Sequence, residues 1–386
     1  MNPFLQCARR AAPRWVLVLA LGTSLVGCAR AAHPKQVAMP SAVSLDDGYT
    51  DFEGVLHVHT NVSYDAHGRF EDAVRIANAQ GLDFVVITDH DSLQALHEGK
   101  QGWHGATLVL IGMEISLPTG HYLALNVTQD INPKSMTMQQ VIDEVTRQGG
   151  FGFIAHPHFK KHPWKEWNVK GFTGVELFNA ARDVFDEHFS QLVLWTLSQA
   201  PDSTYLSILK RPYYPIRTWD ALIERHGRVV GIGSTDAHEF ELFGLTFAPY
   251  ELMFQLCRTY ALLPSSTLTA DGLYDALRKG HAYVGVPLVA NPAGFSFMAN
   301  DGSHVLGIMG DEVALAPGLR LSAKLPQTAE LSLLKDGELI ISTTADSWDV
   351  PITEPGVYRL EASREGKPWI FSNPIYVGHA VPSPVP

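Results

Sequence analysis

The stretch that decides the fold is L-H-V-H-T-N-V-S-Y-D, residues 56–65. It reads as the end of an apolar strand, and side chains two apart on a strand share a face. His57 and His59 therefore project together into whatever that face encloses. A lone H-x-H is weak evidence for a metal, because a core histidine satisfied by hydrogen bonds leaves the same pattern. The rest of the chain has to separate the two readings.

Apolar β-rich runs recur downstream: D-F-V-V-I-T (83–88), A-T-L-V-L-I-G-M-E-I (106–115), H-Y-L-A-L-N-V (121–127), G-G-F-G-F-I-A (149–155), F-T-G-V-E-L-F (172–178) and R-V-V-G-I-G-S (228–234). Most are separated by segments of helical period, the clearest running from Phe70 to a stop at Gly81 and another over residues 136–148 before Gly149 and Gly150. Runs that are apolar throughout suit strands buried on both faces, as in parallel sheets covered by helices. Seven strands in this rhythm predict an α/β, barrel-like (β/α)7 domain over residues 51–290, with its site at the C-terminal strand ends. From about Asn291 the texture turns all-β, with a hairpin signal at Asp336 and Gly337. Residues 291–386 are expected to form a small immunoglobulin-like sandwich without ligand-type clusters, suited to packing or partner binding.

With 386 residues and 46% hydrophobic content, the chain can bury more than one core. A formal net charge of -11 excludes extended nucleic-acid binding by broad phosphate neutralisation, though a mononucleotide substrate stays open. Residues 1–28 read as a processing segment: Arg9, Arg10 and Arg14 precede a short apolar run and then L-V-G-C. That tetrapeptide resembles a bacterial lipobox, which implies lipidation at Cys28, a lipid anchor to an envelope membrane and a flexible tether over 29–50. An ordinary cleaved signal or an uncleaved anchor are the alternatives. Ala29 after the cysteine resembles lipoproteins sent to the periplasmic side of the outer membrane or the cell surface. Loss of Cys7 with the leader and of Cys28 to lipid would leave Cys257 alone, so no internal disulfide is expected.

The strand ends carry the chemistry. The first run ends in His57 and His59 with Asp65 beyond, the second in Asp89, His90 and Asp91, and the third in Glu114. The fourth begins with His121, the fifth ends in His156, and the seventh in Asp236 and His238. Each has a bland explanation, such as a helix cap or a satisfied core histidine. Together, acids and histidines gathered at one barrel end are costly unless paired or metal-bound.

The motifs L-H-V-H-T, S-Y-D, V-V-I-T-D-H-D-S-L, G-M-E-I-S, G-H-Y-L-A-L, I-A-H-P-H and G-S-T-D-A-H resemble the polymerase and histidinol phosphatase (PHP) superfamily of metal-dependent hydrolases, over roughly residues 51–290. The resemblance implies a distorted barrel holding two or three divalent ions (Mn, Zn or Fe), with His57, His59, Asp65, His90, Glu114, His121, His156, Asp236 and His238 as ligands. Two departures stand out: Val55 and Leu56 replace the family's acidic start, and S-Y-D-A-H-G carries an inserted residue, which makes His67 a rival to Asp65. Three ions would outweigh Asp65, Glu114 and Asp236, so the site favours a small anionic or ester substrate. The expected mechanism is attack by a metal-bridging water, with His158 the candidate acid for the leaving group. Lys160, Lys161 and Arg182 are candidates to meet substrate, with a solvated basic loop as the alternative for the lysines. The first functional expectation is a phosphoesterase for small phosphate esters or nucleotide ends. The tail A-L-R-K-G-H-A-Y-V followed by S-N-P-I-Y-V resembles the carbaryl-hydrolase-like branch, which implies carboxyl-ester or carbamate cleavage instead. A non-catalytic metal-binding lipoprotein is the third reading.

Overall fold

The computed structural model describes residues 42–44, 47–182, 188–198, 200, 202–242 and 244–378. The leader, Cys28 and most of the tether lie outside the described residues. The described residues all belong to one compact unit, Ala38–Pro386.

Two sheets enclose the site. In the first, β1 (Thr50–Val58), β2 (Phe84–Ile87) and β3 (Thr107–Ile111) run parallel, and β9 (Arg258–Leu263) lies antiparallel on the other side of β1. The second has the order β8 (Val230–Ser234), β7 (Gly174–Asn179), β6 (Phe151–Ala155), β5 (Gly120–Leu125), β4 (Met113–Leu117). The sheets meet at isolated bridges, Val58 with Ala237 and His90 with Glu114, and through the Thr259 hydroxyl, which bonds Gly233. The sheets are not closed, so the expected distorted seven-stranded barrel is not confirmed and two sheets joined at their edges stand in its place.

The reason lies in one glycine and one hairpin. Gly112 splits the run 106–115 between the sheets; a Cβ there would meet the Ala124 carbonyl oxygen at 2.6 Å, and its N–H is donated to Ile87 O. The chain then turns back at once, so β4 and β5 are antiparallel where a helix crossover was expected. Helix α1 (Phe70–Ala79) and helix α2 (Met138–Arg147) occupy their predicted places. The α2 start is a capping box of Thr137 and Gln140, and the helix buries Met138, Val141, Ile142 and Val145 along one stripe.

Beyond residue 291 the named elements are all strands, and the hairpin between β11 (Arg320–Lys335) and β12 (Glu338–Pro351) turns at Asp336 (φ 54°) and Gly337 (φ 81°), where a left-handed backbone favours glycine. This region is not a separate sheet. Strand β10 (Ala282–Gly285) pairs with β14 (Lys367–Ser372), and β14 in turn with β13 (Gly356–Arg364), so the first sheet continues into the C-terminal strands. Its core follows suit, with Tyr260, Leu262 and Tyr283 packed among Phe295, Leu321, Leu360 and Trp369.

Charged pairs tie the same region to helix α3 (Tyr213–His226). Arg359, buried over the Trp219 ring, pairs with Asp220, while Arg211 grips Glu361 through two bonds of 2.6 and 2.8 Å. Removing one member of a buried ion pair strands the other, which typically costs about 3–5 kcal/mol. Arg359→Ala should lose about that much in urea unfolding; a loss under about 1 kcal/mol would contradict this picture.

A second buried polar group sits on β1. Asp51, Glu53 and Asp83 are all buried, and Arg258 Nη1 lies 3.3 Å from Glu53. Burial pushes the Asp51 carboxyl up to about 7, against the Tyr283 hydroxyl it accepts from, and the Asp83 carboxyl up to about 8. Folded acids with raised pKa bind protons that the unfolded chain releases, so stability falls as pH rises from about 4 through 8. Asp83→Asn should flatten that decline, with Tm gaining more at pH 8 than at pH 5; an equal shift at both pH values would refute it.

Candidate metal centre

Four of the histidines and acids at the strand ends depart from regular backbone. His57, Asp91, His156 and Asp236 have φ of 63°, 48°, 25° and 50°, a left-handed conformation that is uncommon for such residues. The β1/β2 register also slips between Val55 and Val58. His57 and His59 do share one side, with ring centroids 5.0 Å apart, but a bulge places them there and not simple alternation.

Glu114 is the hub. Its Oε2 lies 3.3 Å from His57 Nε2, 3.2 Å from His59 Nε2 and 3.0 Å from His90 Nδ1. Its Oε1 lies 2.9 Å from both His121 Nδ1 and His156 Nε2. Asp236 Oδ1 faces His57, His59 and His238 at 3.4–3.5 Å, and Asp65 Oδ2 faces His90 at 3.4 Å and His238 at 3.5 Å. All the sequence-predicted ligands thus converge. His67 does not: its ring packs edge-on against Phe240 and meets the Glu241 N–H, so Asp65 is the acid brought to the cluster.

Burial alone would push the Glu114 carboxyl up, but the imidazoles around it, His57 and His121 foremost, hold it well below the usual range. His57 is the converse: burial disfavours its charge, yet Asp236, Glu114 and Glu176 raise its pKa well above normal.

Outer hydrogen bonds decide which ring nitrogen faces inward. His57 Nδ1 donates to Glu176 Oε1 at 2.7 Å, and His238 Nδ1 donates to the Asp236 carbonyl at 2.8 Å. Ser63 gives its hydroxyl proton to Asp89 at 2.7 Å, so its oxygen accepts from His59 Nδ1 at 3.1 Å. With the proton held on Nδ1, each of these rings, when neutral, presents an Nε2 lone pair to the cluster. Those three Nε2 atoms, Glu114 Oε2 and Asp236 Oδ1 are buried without a hydrogen-bond partner. Five such orphans aimed at one another are costly in a protein interior unless a cation occupies the space between them. The donor set of imidazoles and carboxylates suits Zn, Mn or Fe, and four overlapping groups of three residues have ligand atoms close enough to share an ion: His57, His59 and Glu114; His57, His156 and Asp236; His90, Glu114 and His121; His59, His90 and His238.

Glu176 was missed as a site residue in the sequence. It is buried, binds His57, and with Oε2 accepts from the His156 N–H at 2.6 Å and the Asn179 amide at 2.9 Å. The signal was an acid inside the otherwise apolar run F-T-G-V-E-L-F. Asp89, named among the strand-end acids but not among the ligands, fixes the Thr60–Ser63 turn by accepting from Thr60 N, Thr60 Oγ1 and Ser63 Oγ.

The candidates for substrate and proton handling fare differently. His158 turns away, bonding Thr218 on α3 at 2.7 Å beside Tyr214 and Trp167, because the left-handed His156 breaks the strand alternation that would have brought it inward. The proposed acid role thus loses its geometric basis. Arg182 reaches Asp236 Oδ2 at 2.7 Å and lies over the Phe159 ring, so it steadies a ligand. Lys160 and Lys161 are exposed. Cys257 is a buried thiol at the junction of α4 (Tyr250–Leu256) and β9, its Sγ 3.6 Å from the Phe178 carbonyl.

Comparison with known proteins gives a family match. Residues 56–205 match the PHP domain. Over 140 residues the chain is 29% identical to an uncharacterized protein of Methanocaldococcus jannaschii, covering 32% of this chain and 80% of that one. Among solved structures, a two-domain protein of Bacteroides vulgatus containing a predicted PHP-like metal-dependent phosphoesterase aligns with TM-score 0.44 and 15% identity, covering 86% of this chain and 97% of that one. PsfC of Pseudomonas syringae aligns with TM-score 0.41 and 15% identity, covering 61% and 91%. The PHP match spans the first six ligand-bearing motifs and leaves Asp236 and His238 outside it.

Because Glu176 sets the His57 tautomer, Glu176→Gln should weaken metal binding by about 10- to 100-fold while the chain stays folded. Competition with a coloured chelator reads this directly; unchanged affinity would remove Glu176 from the site.

Proposed function

We propose that this chain is a metal-dependent hydrolase, a phosphoesterase acting on small phosphate esters or nucleotide ends with two or three divalent ions. The observation that carries the reading is the convergence of partnerless buried Nε2 atoms of His57, His59 and His238 on Glu114 Oε2 and Asp236 Oδ1. On that reading His57, His59, Glu114 and Asp236 would hold one ion, with His156 beside them; His90, Glu114 and His121 would hold a second; His238 and Asp65 would hold a third. When bound, such ions supply Lewis acidity to a phosphoryl oxygen and lower the pKa of water towards neutrality.

The chain's own residues prepare that site. Glu176, and Asp89 through Ser63, hold protons on the outer nitrogens of His57 and His59, and Arg182 occupies Asp236 Oδ2 so that Oδ1 stays inward. The structure also revises the charge balance, since Glu176 and Asp89 join Asp65, Glu114 and Asp236 around the cluster. Three divalent ions and Arg182 together would still exceed these five carboxylates by about two charges. Metal-free, the five carboxylates outnumber Arg182 and the charged imidazoles of His57 and His90. Phosphate binding is therefore conditional on metal, and the reaction is transfer of the phosphoryl group to water, releasing the alcohol.

The finer readings follow as parts of the same proposal: residues 51–290 as the metallohydrolase unit and 291–386 as its β-module, with an exported lipoprotein anchored at Cys28. Converting Cys28 to Ala should release the protein from membranes, and persistent membrane association would end the lipobox reading. The functional test is a panel of aryl phosphates, phosphodiesters, aryl esters and carbamates offered to protein loaded with Mn, Zn or Fe. Phosphate hydrolysis abolished by chelation and restored by metal is expected. Turnover of esters or carbamates alone would replace this reading with the second, and turnover of nothing with the third.

A further inference from the structure

We propose that Tyr64 is a stacking platform for the leaving group, so that the substrates are phosphate esters bearing a planar aromatic group next to the ester oxygen. This rests on the phosphoesterase reading above. Tyr64 is 79% exposed, the highest value for a large apolar or aromatic side chain among the described residues. It is nonetheless held in place. Its ring lies flat on His90, centroids 4.9 Å apart and planes 20° from parallel.

Both chain neighbours are tied down. Ser63 Oγ bonds Asp89 and His59 and accepts the His90 N–H at 3.0 Å, while Asp65 reaches His90 and His238. The imidazole under Tyr64 is itself 3.0 Å from Glu114. The ring therefore has one face covered by a candidate ligand and the other open to solvent, one side chain's thickness from the centre of the cluster. Tyr64 belongs to the S-Y-D turn with its inserted residue, so this chain places an aromatic at the mouth of the site.

A fixed ring with a single open face offers stacking to any planar group, without regard to its hydrogen-bonding pattern. Its distance from the cluster means that a phosphate held there would bring the adjoining ester group over the tyrosine. The fitting class is thus a phosphate ester of an aromatic alcohol.

The test measures binding and turnover separately. Calorimetry on metal-loaded protein compares phenylphosphonate with methylphosphonate, and kinetics compare 1-naphthyl phosphate with glycerol 1-phosphate, for wild type, Tyr64→Ala and Tyr64→Phe. The wild type should prefer phenylphosphonate, and Tyr64→Ala should weaken it roughly 5- to 100-fold while leaving methylphosphonate within about two-fold. The same variant should raise KM for naphthyl phosphate and spare glycerol phosphate, and Tyr64→Phe should behave as wild type, with metal content unchanged throughout. Equal affinity of the wild type for both phosphonates, or equal losses for both in Tyr64→Ala, would overturn the platform. A Tyr64-dependent preference for phenylphosphonate without turnover of any phosphate ester would instead overturn the phosphoesterase reading and leave the platform standing.

Discussion

The fold is organised around one buried carboxylate. Glu114 puts its two oxygens within 2.9–3.3 Å of five histidines that come from four separate segments. Burying that many nitrogens and oxygens together is costly, and His57 Nε2, His59 Nε2 and Glu114 Oε2 are left without a hydrogen-bond partner. A cation between them would satisfy those atoms. The left-handed backbone at His57, His156 and Asp236 fits the same account, since strain of about 1–3 kcal/mol per residue persists only where surrounding structure enforces it.

The outer layer explains why the histidines keep their orientation. Glu176, Asp89 with Ser63, and the Asp236 carbonyl each hold a proton on an Nδ1. The C-terminal strands add a further layer, because α3 joins Arg359 and Arg211 on one side to the His158 turn on the other. On this account the β-module stiffens the site from behind, and the sheet that runs unbroken through β10 and β14 makes it part of the same body.

Much of this was legible in the sequence because metal ligands are short-range signals. The H-x-H, T-D-H and D-A-H motifs sit at strand ends and keep their meaning whatever the register, and their resemblance to the PHP superfamily implied the ligand set before any geometry. Glu176 was harder, since an acid in an apolar run has no partner until β7 lies beside β8 and His57 comes within 2.7 Å. His158 misled because spacing of two means a shared face only while the strand continues, and it ends at Ala155. The closed barrel misled for a similar reason: a continuous apolar run hides the switch at Gly112 from one sheet to the other. Tyr64 carried no signal at all, because exposure and stacking on His90 exist only in three dimensions.

The central claim is that cations occupy the space around Glu114, and metal stoichiometry tests it most directly. Elemental analysis of the purified, folded protein should find two or three divalent transition-metal ions per chain, and Glu114→Ala should lose most of them. A wild-type protein that is folded, catalytically active and metal-free would contradict the account.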